Sequence, residues 1–319
     1  MHSFKELVQQ FESRLNDTLP FPQELDTLYE PCRYFMNLGG KRVRPVLCLM
    51  SNELFGNITD DAWRAALGIE LFHNFTLIHD DIMDKAPLRR GKITVHERNG
   101  LTAGILCGDV MSIYAYDQLA HIKTALPEIL HLFNRTSIEV CEGQQLDMDF
   151  ETRDDVSIDE YIHMITLKTS VLLACSLKMG ALLGGATEST AGKLYEFGKN
   201  LGIAFQLQDD YLDAYSANTG KQIGGDIKSN KKTYLLLKAL ENANMLQQSA
   251  IRSLLQRDDD SKVDAMLSLF NNTGADVACR DAVKHYSDLA FGCLEEAAVP
   301  SSRKVHLHEL ATYLLGRDN

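Results

Sequence analysis

The chain has 319 residues, of which 45% are hydrophobic and 24% are charged, and its formal net charge is −12 at pH 7. This composition is that of a globular protein large enough to bury a substantial core. The acidic balance argues against nucleic acid as a partner, because binding a phosphate backbone requires a basic surface, but it does not exclude an anionic substrate if metal ions intervene.

The cysteines and the N-terminus favour a cytoplasmic protein. The seven cysteines are odd in number, widely scattered and free of CxxC or CxxH spacing, which argues against a disulfide framework or a zinc site and fits a reducing compartment. The N-terminal segment, MHSFKELVQQFESRLN, has mixed charge and no apolar core, unlike a secretory signal. We therefore expect a cytoplasmic location.

No segment reads as a linker or as a membrane span. Pro/Ser/Gly-rich and low-complexity stretches are absent from the sequence, so we expect a single domain over residues 1–319. The most apolar stretch, 171–185, is interrupted by Lys178 and is shorter than the ~20 apolar residues that cross a bilayer. We expect a core helix there and no transmembrane segment.

Apolar residues recur at helical spacing almost throughout the chain, and strand-like alternation is nearly absent. In chain order, Pro45 is expected at the first position of one helix, Thr59 before the start of the next, and Ser157 with Glu160 forms a capping box before a helix over 161–176. Long apolar helices joined by short polar turns must pack on one another. The sequence therefore predicts an all-α bundle of ten or more helices.

An acidic motif, DDxxD, occurs twice inside apolar helical runs, at 80–84 and at 209–213. Its carboxylates are Asp80, Asp81, Asp84, Asp209, Asp210 and Asp213. The first and last aspartates of each copy share a helix face, where like charges repel. The repulsion makes sense if divalent cations bind between them, and all-oxygen ligands suit Mg²⁺, which is usually shared between carboxylates and phosphates. A solvated acidic face is the alternative for either copy alone.

Two basic segments accompany these motifs. Arg89 and Arg90 follow the first motif, and a guanidinium fork matches phosphate oxygens. In LGGKRVRPVL, Lys41, Arg42 and Arg44 precede a predicted helix, where cations oppose the helix dipole unless an anion occupies the site. A merely solvated basic turn is the alternative.

These motifs resemble the trans-isoprenyl diphosphate synthase family, also called polyprenyl synthetases, from residue 39 to about 232. The resemblance covers GGKRVRP at 39–45, DDIMD with LRRG at 80–91, GQQLD at 143–147, KT at 168–169, QLQDDYLD at 206–213, and GK followed by GGDIKSNKKT at 220–233. It implies an isoprenoid synthase fold, which is a single large helical bundle around a central cavity and is usually homodimeric. It also implies an enzyme that joins an allylic diphosphate to isopentenyl diphosphate and releases pyrophosphate.

The resemblance also implies roles for single residues. Asp80, Asp84 and Asp209 would bind three Mg²⁺ directly, with Asp81, Asp210 and Asp213 in support. The allylic diphosphate would be held by Arg89, Lys168, Gln206, Lys221 and Lys231. The diphosphate of isopentenyl diphosphate would be held by Lys41, Arg44, His73 and Arg90. Thr169, Gln144 and Asp147 resemble residues near the reacting carbons.

Product length is expected to depend on side chains upstream of Asp80. Phe75 and Phe72 lie five and eight residues before it and share a helix face, and one helical turn of ~5.4 Å is about the length of an isoprene unit. Thr76 stands where a second aromatic is common in animal farnesyl diphosphate synthases. We expect a C20 geranylgeranyl or C15 farnesyl product; the alternative is that both phenylalanines only fill the core.

Three other functions are compatible with parts of the sequence. A class I terpene cyclase ionises the same diphosphates but would not need Lys41, Arg44 and a second complete acidic motif. A non-catalytic subunit of a heteromeric synthase would be expected to lose acidic motifs, and both are intact. A metal phosphohydrolase could be read from His79 and Asp80, but that class needs further histidine ligands.

Overall fold

Helices account for nearly all the regular secondary structure. The structure is a computed structural model that describes residues 1–216, 224–259 and 261–316. Sixteen α-helices and one two-stranded ribbon occur within those residues, of which 78% are helical. The all-α prediction and the expected number of helices are therefore confirmed.

The elements follow one another in this order: α1 (Phe4–Thr18), α2 (Asp26–Met36), α3 (Val43–Glu53), α4 (Asp60–Met83), β1 (Leu88–Arg89), β2 (Lys92–Ile93), α5 (Val95–Asn99), α6 (Leu101–Ala120), α7 (Leu126–Thr152), α8 (Ile158–Ile165), a π-helical turn (Thr166–Ser170), α9 (Val171–Leu183), α10 (Glu188–Tyr215), α11 (Gly225–Lys228), α12 (Tyr234–Asn242), α13 (Met245–Leu255), α14 (Ser261–Asn272), α15 (Ala275–Glu296) and α16 (Ser301–Leu315).

The contacts divide the chain into two compact units. The first comprises residues 1–132, 176–192 and 299–307, and the second comprises the described residues within 133–175, 193–298 and 308–319. The expectation of a single domain stays a prediction. The first acidic motif belongs to the first unit and the second motif to the second unit.

In the first unit, α3 packs closely against the part of α9 that belongs to this unit. The Ser51 hydroxyl donates to the carbonyl of Leu177 at 2.6 Å, and the Asn52 amide donates to the carbonyl of Gly180 at 3.1 Å. A Cβ atom on Gly180 would lie only 2.0 Å from the carbonyl oxygen of Cys48. The glycine therefore allows the two helix backbones to touch.

Arg42 is a structural cation at the start of α3. Its side chain donates to Glu12 at 2.6 Å, to Glu70 at 2.5 Å and to the carbonyl of Met36 at 2.9 Å, and the residue is 4% exposed. Burial alone would lower its pKa, but the charge of Glu70 and the hydrogen bonds to both glutamates raise it.

Pro45 is the third residue of α3, not the first as predicted, because the helix already begins at Val43 with Arg42 as N-cap.

In the second unit, the core is one apolar cluster contributed by several helices, including α8, α12, α14 and α15. The predicted capping box is confirmed: the Ser157 hydroxyl accepts from the backbone N–H of Glu160 at 3.2 Å, and the Glu160 carboxylate accepts from the backbone N–H of Ser157 at 2.9 Å. The Thr59 side chain likewise caps α4 in the first unit by accepting from the N–H of Ala62 at 3.1 Å.

The apolar segment around 171–185 is part of a longer continuous helical stretch, Ile158–Leu183, that includes the π-helical turn. By length and hydropathy alone this 26-residue stretch could cross a membrane, although the sequence had suggested a shorter one. In the structure 72% of its most apolar window is buried. That burial is what a core helix of a folded protein shows.

Candidate active site

The first acidic motif lies at the C-terminal end of α4, and Arg89 holds its middle carboxylate. Oδ1 of Asp81, a residue only 1% exposed, accepts from Nε and Nη2 of Arg89 at 2.8 and 2.5 Å. Nη2 also lies 3.3 Å from Oδ2 of Asp80. Burial raises the pKa of the Asp81 carboxyl, and the hydrogen bonds and charge of Arg89 oppose that rise. Asp84 is the exposed C-cap of the helix.

A short antiparallel hairpin, which the periodicity did not predict, positions the two arginines. Leu88 pairs with Ile93 and Arg89 with Lys92, so Arg90 and Gly91 form a two-residue loop. Both loop residues have positive φ, 53° and 72°, as a type I′ turn requires. The positive φ of the turn thus explains the glycine of LRRG. The turn also directs the two arginines to different groups.

Three of the residues expected to bind isopentenyl diphosphate form one cluster. Nη1 of Arg44 lies 3.0 Å from Nε2 of His73, and the Arg90 guanidinium donates to the carbonyl of Gly39. A Cβ on Gly40 would lie 3.0 Å from both terminal nitrogens of Arg90. Gly40 therefore leaves room for this guanidinium against the loop. Lys41, the fourth residue, is exposed.

The electrostatics of this cluster suit an anion. Burial and the charges of Arg44 and Arg90 lower the pKa of His73 well below its usual value, so its imidazole is neutral and Nε2 accepts from the guanidinium. Burial lowers the pKa of Arg44 to about 10, which still leaves it protonated at pH 7. Within the residues described, Arg44 has no ion pair and its buried Nε has no hydrogen-bond partner.

In the second acidic motif, on α10, the middle carboxylate is again buried and held by protein donors. Asp210 is 4% exposed and accepts from the hydroxyl of Tyr161, from the backbone N–H of Tyr234 at 3.2 Å and from Nε2 of Gln206 at 3.2 Å. Burial, aided by the charge of Asp226, raises the pKa of Asp210 to about 7. Asp209 is partly exposed beside it.

The last carboxylate of the second motif holds the segment that follows the helix. Oδ2 of Asp213 accepts from the backbone N–H of Asp226 at 2.8 Å, and its carbonyl accepts from the N–H of Gly224 at 2.7 Å. The backbone N–H of Lys231 in turn donates to the carbonyl of Asp226 at 3.0 Å. Lys221, expected to bind the allylic diphosphate, lies outside the described residues.

Asp147 brings two of the predicted cations together. Its Oδ2 lies 2.6 Å from Nζ of Lys168 and 3.7 Å from Nζ of Lys231. Thr169 is adjacent, and its hydroxyl donates to Oε1 of Gln206 at 3.3 Å. These predicted residues come from four separate parts of the sequence, and the second unit places them in contact.

A π-helical turn presents Lys168 and Thr169, and two glycines make room for it. A Cβ on Gly143 of α7 would lie 2.3 Å from the backbone nitrogen of Lys168, and one on Gly202 of α10 would lie 2.6 Å from Cα of Ser170. These distances involve backbone atoms, which cannot rotate away as a side chain can. π-Helical turns are rare and are frequent at functional sites. This explains why a glycine begins the GQQLD motif.

The predicted chain-length residues are together on α4. The rings of Phe72 and Phe75 meet edge to face with centroids 5.4 Å apart, Phe72 being 3% exposed and Phe75 partly buried. The hydroxyl of Thr76 donates to the carbonyl of His73 at 2.8 Å. Phe72 is therefore part of the core, whereas Phe75 remains partly exposed.

The acidic residues supply the carboxylate oxygens that a hard cation such as Mg²⁺ prefers. Among the described residues, no three His, Cys, Asp or Glu side chains converge into a complete metal site. Mg²⁺ characteristically takes only one or two protein carboxylates and completes its shell with phosphate oxygens and water. Oδ2 of Asp81 is buried and, within the described chain, accepts no hydrogen bond, which is consistent with a carboxylate whose second oxygen serves a cation or its water.

Sequence reasoning missed the residues that support the site. Tyr161 holds Asp210 from 49 residues away, and Glu70 neutralises Arg42 across 28 residues. Neither contact has a local signal. The close approaches of Gly143 and Gly202 did have a local signal in the sequence, since an isolated glycine within a helical pattern often marks a place where another backbone packs closely.

Comparisons with known proteins identify the family of the chain. The family model described as polyprenyl synthetase matches residues 25–272. A geranylgeranyl pyrophosphate synthase from Geoglobus acetivorans is 39% identical over 306 residues, which cover 93% of each chain. A crystal structure of a geranylgeranyl pyrophosphate synthase is 43% identical with a TM-score of 0.94 and covers 100% of both chains. That of the synthetase from Pyrococcus horikoshii Ot3 is 34% identical with a TM-score of 0.92, covering 99% of this chain and 97% of the other.

Proposed function

The chain belongs to the polyprenyl synthetase family, and from this premise we propose that it joins an allylic diphosphate to isopentenyl diphosphate in a Mg²⁺-dependent reaction. It is a short-chain prenyltransferase, and the product we propose is C20 geranylgeranyl or C15 farnesyl diphosphate. Pyrophosphate is released in each condensation.

The observation that carries this proposal is the Arg44 cluster. A guanidinium bonded to a neutral imidazole, with its Nε unpartnered and no ion pair in the described chain, is a cation in need of an anion. Arg90 adds a second guanidinium to the same cluster. A second diphosphate satisfies this need. A terpene cyclase has no such substrate, so the cluster favours the condensing enzyme.

The allylic diphosphate would be held by Arg89 and by the pair Lys168 and Lys231 that meets at Asp147. Cations bound to the diphosphate would stabilise the negative charge that develops on it as the C–O bond of the allylic substrate breaks. The double bond of isopentenyl diphosphate, held close by its own basic cluster, then attacks the allylic carbocation. The released pyrophosphate takes up the proton that the resulting carbocation loses, and this completes the condensation.

Asp80, Asp84 and Asp209 are the residues that would bind Mg²⁺, with three ions expected per site and with Asp81, Asp210 and Asp213 in support. The bound ions would supply Lewis-acid stabilisation of the departing pyrophosphate. Chelation should abolish turnover and added Mg²⁺ should restore it. Replacing Asp80 by Asn should raise the Mg²⁺ concentration needed for half-maximal rate, with Asp61→Asn as a matched control, since Asp61 instead accepts from the N–H groups of Lys123 and Thr124.

A homodimer is also part of the proposal. Helix α6 exposes a row of large apolar side chains, Leu101 (56%), Leu106 (51%) and Ile113 (65%) among them, and an exposed apolar patch of this kind is typical of a protein interface. Light scattering of the purified protein should give twice the mass of the 35.7 kDa chain. A monomer at micromolar concentration would contradict this part.

The decisive experiment incubates pure protein with Mg²⁺, isopentenyl diphosphate and, separately, the dimethylallyl, geranyl and farnesyl starters, followed by analysis of the prenyl alcohols. Elongation that depends on isopentenyl diphosphate is the expected result. Hydrocarbons formed without isopentenyl diphosphate would indicate a cyclase. Elongation only after a second protein is added would indicate a non-catalytic subunit.

A further inference from the structure

His79 has a defined position that the proposed chemistry does not use. Its ring meets that of Phe75, one helical turn earlier, edge to face with centroids 5.0 Å apart. Phe75 meets Phe72 in the same way at 5.4 Å. The three rings thus form a continuous ladder along one side of α4, ending one residue before the acidic motif.

The other side of the imidazole is seated on α6. Nε2 of His79 lies 3.1 Å from the carbonyl oxygen of Ile105, and because a carbonyl can only accept, Nε2 carries the hydrogen and donates it. Oδ1 of Asp109, an exposed residue, lies 3.9 Å from Nε2. A protonated Nε2 cannot ligate a metal, which argues against the phosphohydrolase reading through that nitrogen.

Gly108 forms the socket for this ring. A Cβ atom at position 108 would lie 2.2 Å from Nε2 and 2.4 Å from Cδ2 of His79. Because the backbone fixes the new Cβ, the His79 ring would have to leave its position on α6 to relieve that overlap. The seat on α6 therefore exists only because residue 108 has no side chain.

We infer that His79 is a positioning residue that sets product length by holding the Phe75 ring in place, with Gly108 as its socket. This inference rests on the proposed function. Phe75 has only two side-chain torsions, and an edge-to-face neighbour on each side restricts both. If the ring is fixed, the hydrocarbon cavity has a fixed floor; if it can rotate away, the growing chain can extend further.

The test is the product distribution of His79→Ala and His79→Phe. The alanine variant removes one of the two rings that contact Phe75. The ratio of longer to shorter products should therefore rise on the order of fivefold, which is the effect of losing one aromatic contact. The phenylalanine variant keeps an aromatic edge against Phe75 and should keep the wild-type distribution. A destabilised protein makes less product, but a change in product ratio is not the signature of reduced folding.

Gly108→Ala is a second, independent test of the inference. It should change the product ratio when residue 79 is His and have no additional effect in the His79→Ala background, where the obstructing ring is absent. Gly192→Ala is the matched control, because its Cβ would meet nothing within 4 Å, and it should behave as wild type. Wild-type ratios in both His79→Ala and Gly108→Ala would overturn the inference, whereas a wild-type protein that elongates nothing would overturn the proposed function instead.

Discussion

Replacing Gly143 by Ala should disable the site by displacing the π-helical turn. The new Cβ would lie 2.3 Å from the nitrogen and 2.7 Å from Cα of Lys168, and 2.8 Å from the carbonyl carbon of Leu167, whereas ordinary contact begins at 3.4 Å. The backbones must therefore separate by about 1 Å. A shift of that size near reacting groups lowers the rate by roughly 10²-fold, and overpacking lowers the free energy of unfolding by about 1 to 3 kcal/mol.

The assay measures kcat/KM for the condensation together with the urea midpoint of unfolding. The matched control is Gly292→Ala in α15, where a Cβ would meet nothing within 4 Å and where Ala is favoured over Gly by about 1 kcal/mol in a helix. It should keep full activity and equal or greater stability. If Gly143→Ala retained the wild-type kcat/KM, the argument that this contact positions Lys168 would be refuted.

Three further changes have defined outcomes. Tyr161→Phe leaves buried Asp210 without one donor, so the free energy of unfolding from urea titration should fall by about 1 to 3 kcal/mol; no change would contradict the anchoring role. Arg89→Lys replaces a guanidinium that can donate to two groups at once with a single ammonium, so kcat/KM should drop about tenfold or more. Unchanged kinetics would show that its simultaneous contacts with Asp81 and Asp80 do not matter for the reaction. His73 has a folded pKa well below that of the unfolded chain, about 6.5. As the pH falls below that value only the unfolded chain takes up this proton, so the wild type should lose stability between pH 7 and 5 more steeply than His73→Gln; equal slopes would refute the neutral imidazole.

The fold was predictable because helical periodicity is repeated over many residues. The capping signals at Thr59 and Ser157 also gave their helix starts correctly. The errors are local. Pro45 fits the first helical turn at its third position as well as at its first, so the residue type does not fix the boundary. The hairpin at 88–93 has two residues per strand, too few for alternation to be seen.

The site was predictable in its charged residues and not in their supports. Asp147 and the two cations that contact it, Lys168 and Lys231, could each be named from motifs. The π-helical turn that presents Lys168 could not be, because its cause is the steric approach of Gly143 and Gly202 from two other helices. Contacts between distant segments depend on the packed fold and leave no periodic trace in the sequence.

The two copies of the acidic motif share one structural logic, which explains why the motif contains a second aspartate at all. On a helix, the residue after the first points about 100° away from the face shared by the first and the fifth. In both copies that residue is buried and accepts from protein donors, Asp81 from Arg89 and Asp210 from Tyr161 and a backbone N–H. The middle carboxylate therefore fixes the rotation of its helix about its own axis. The angle of the outer pair is then set by this anchor, and in the second copy the hydrogen bond from the backbone N–H of Asp226 holds the outer residue Asp213 as well.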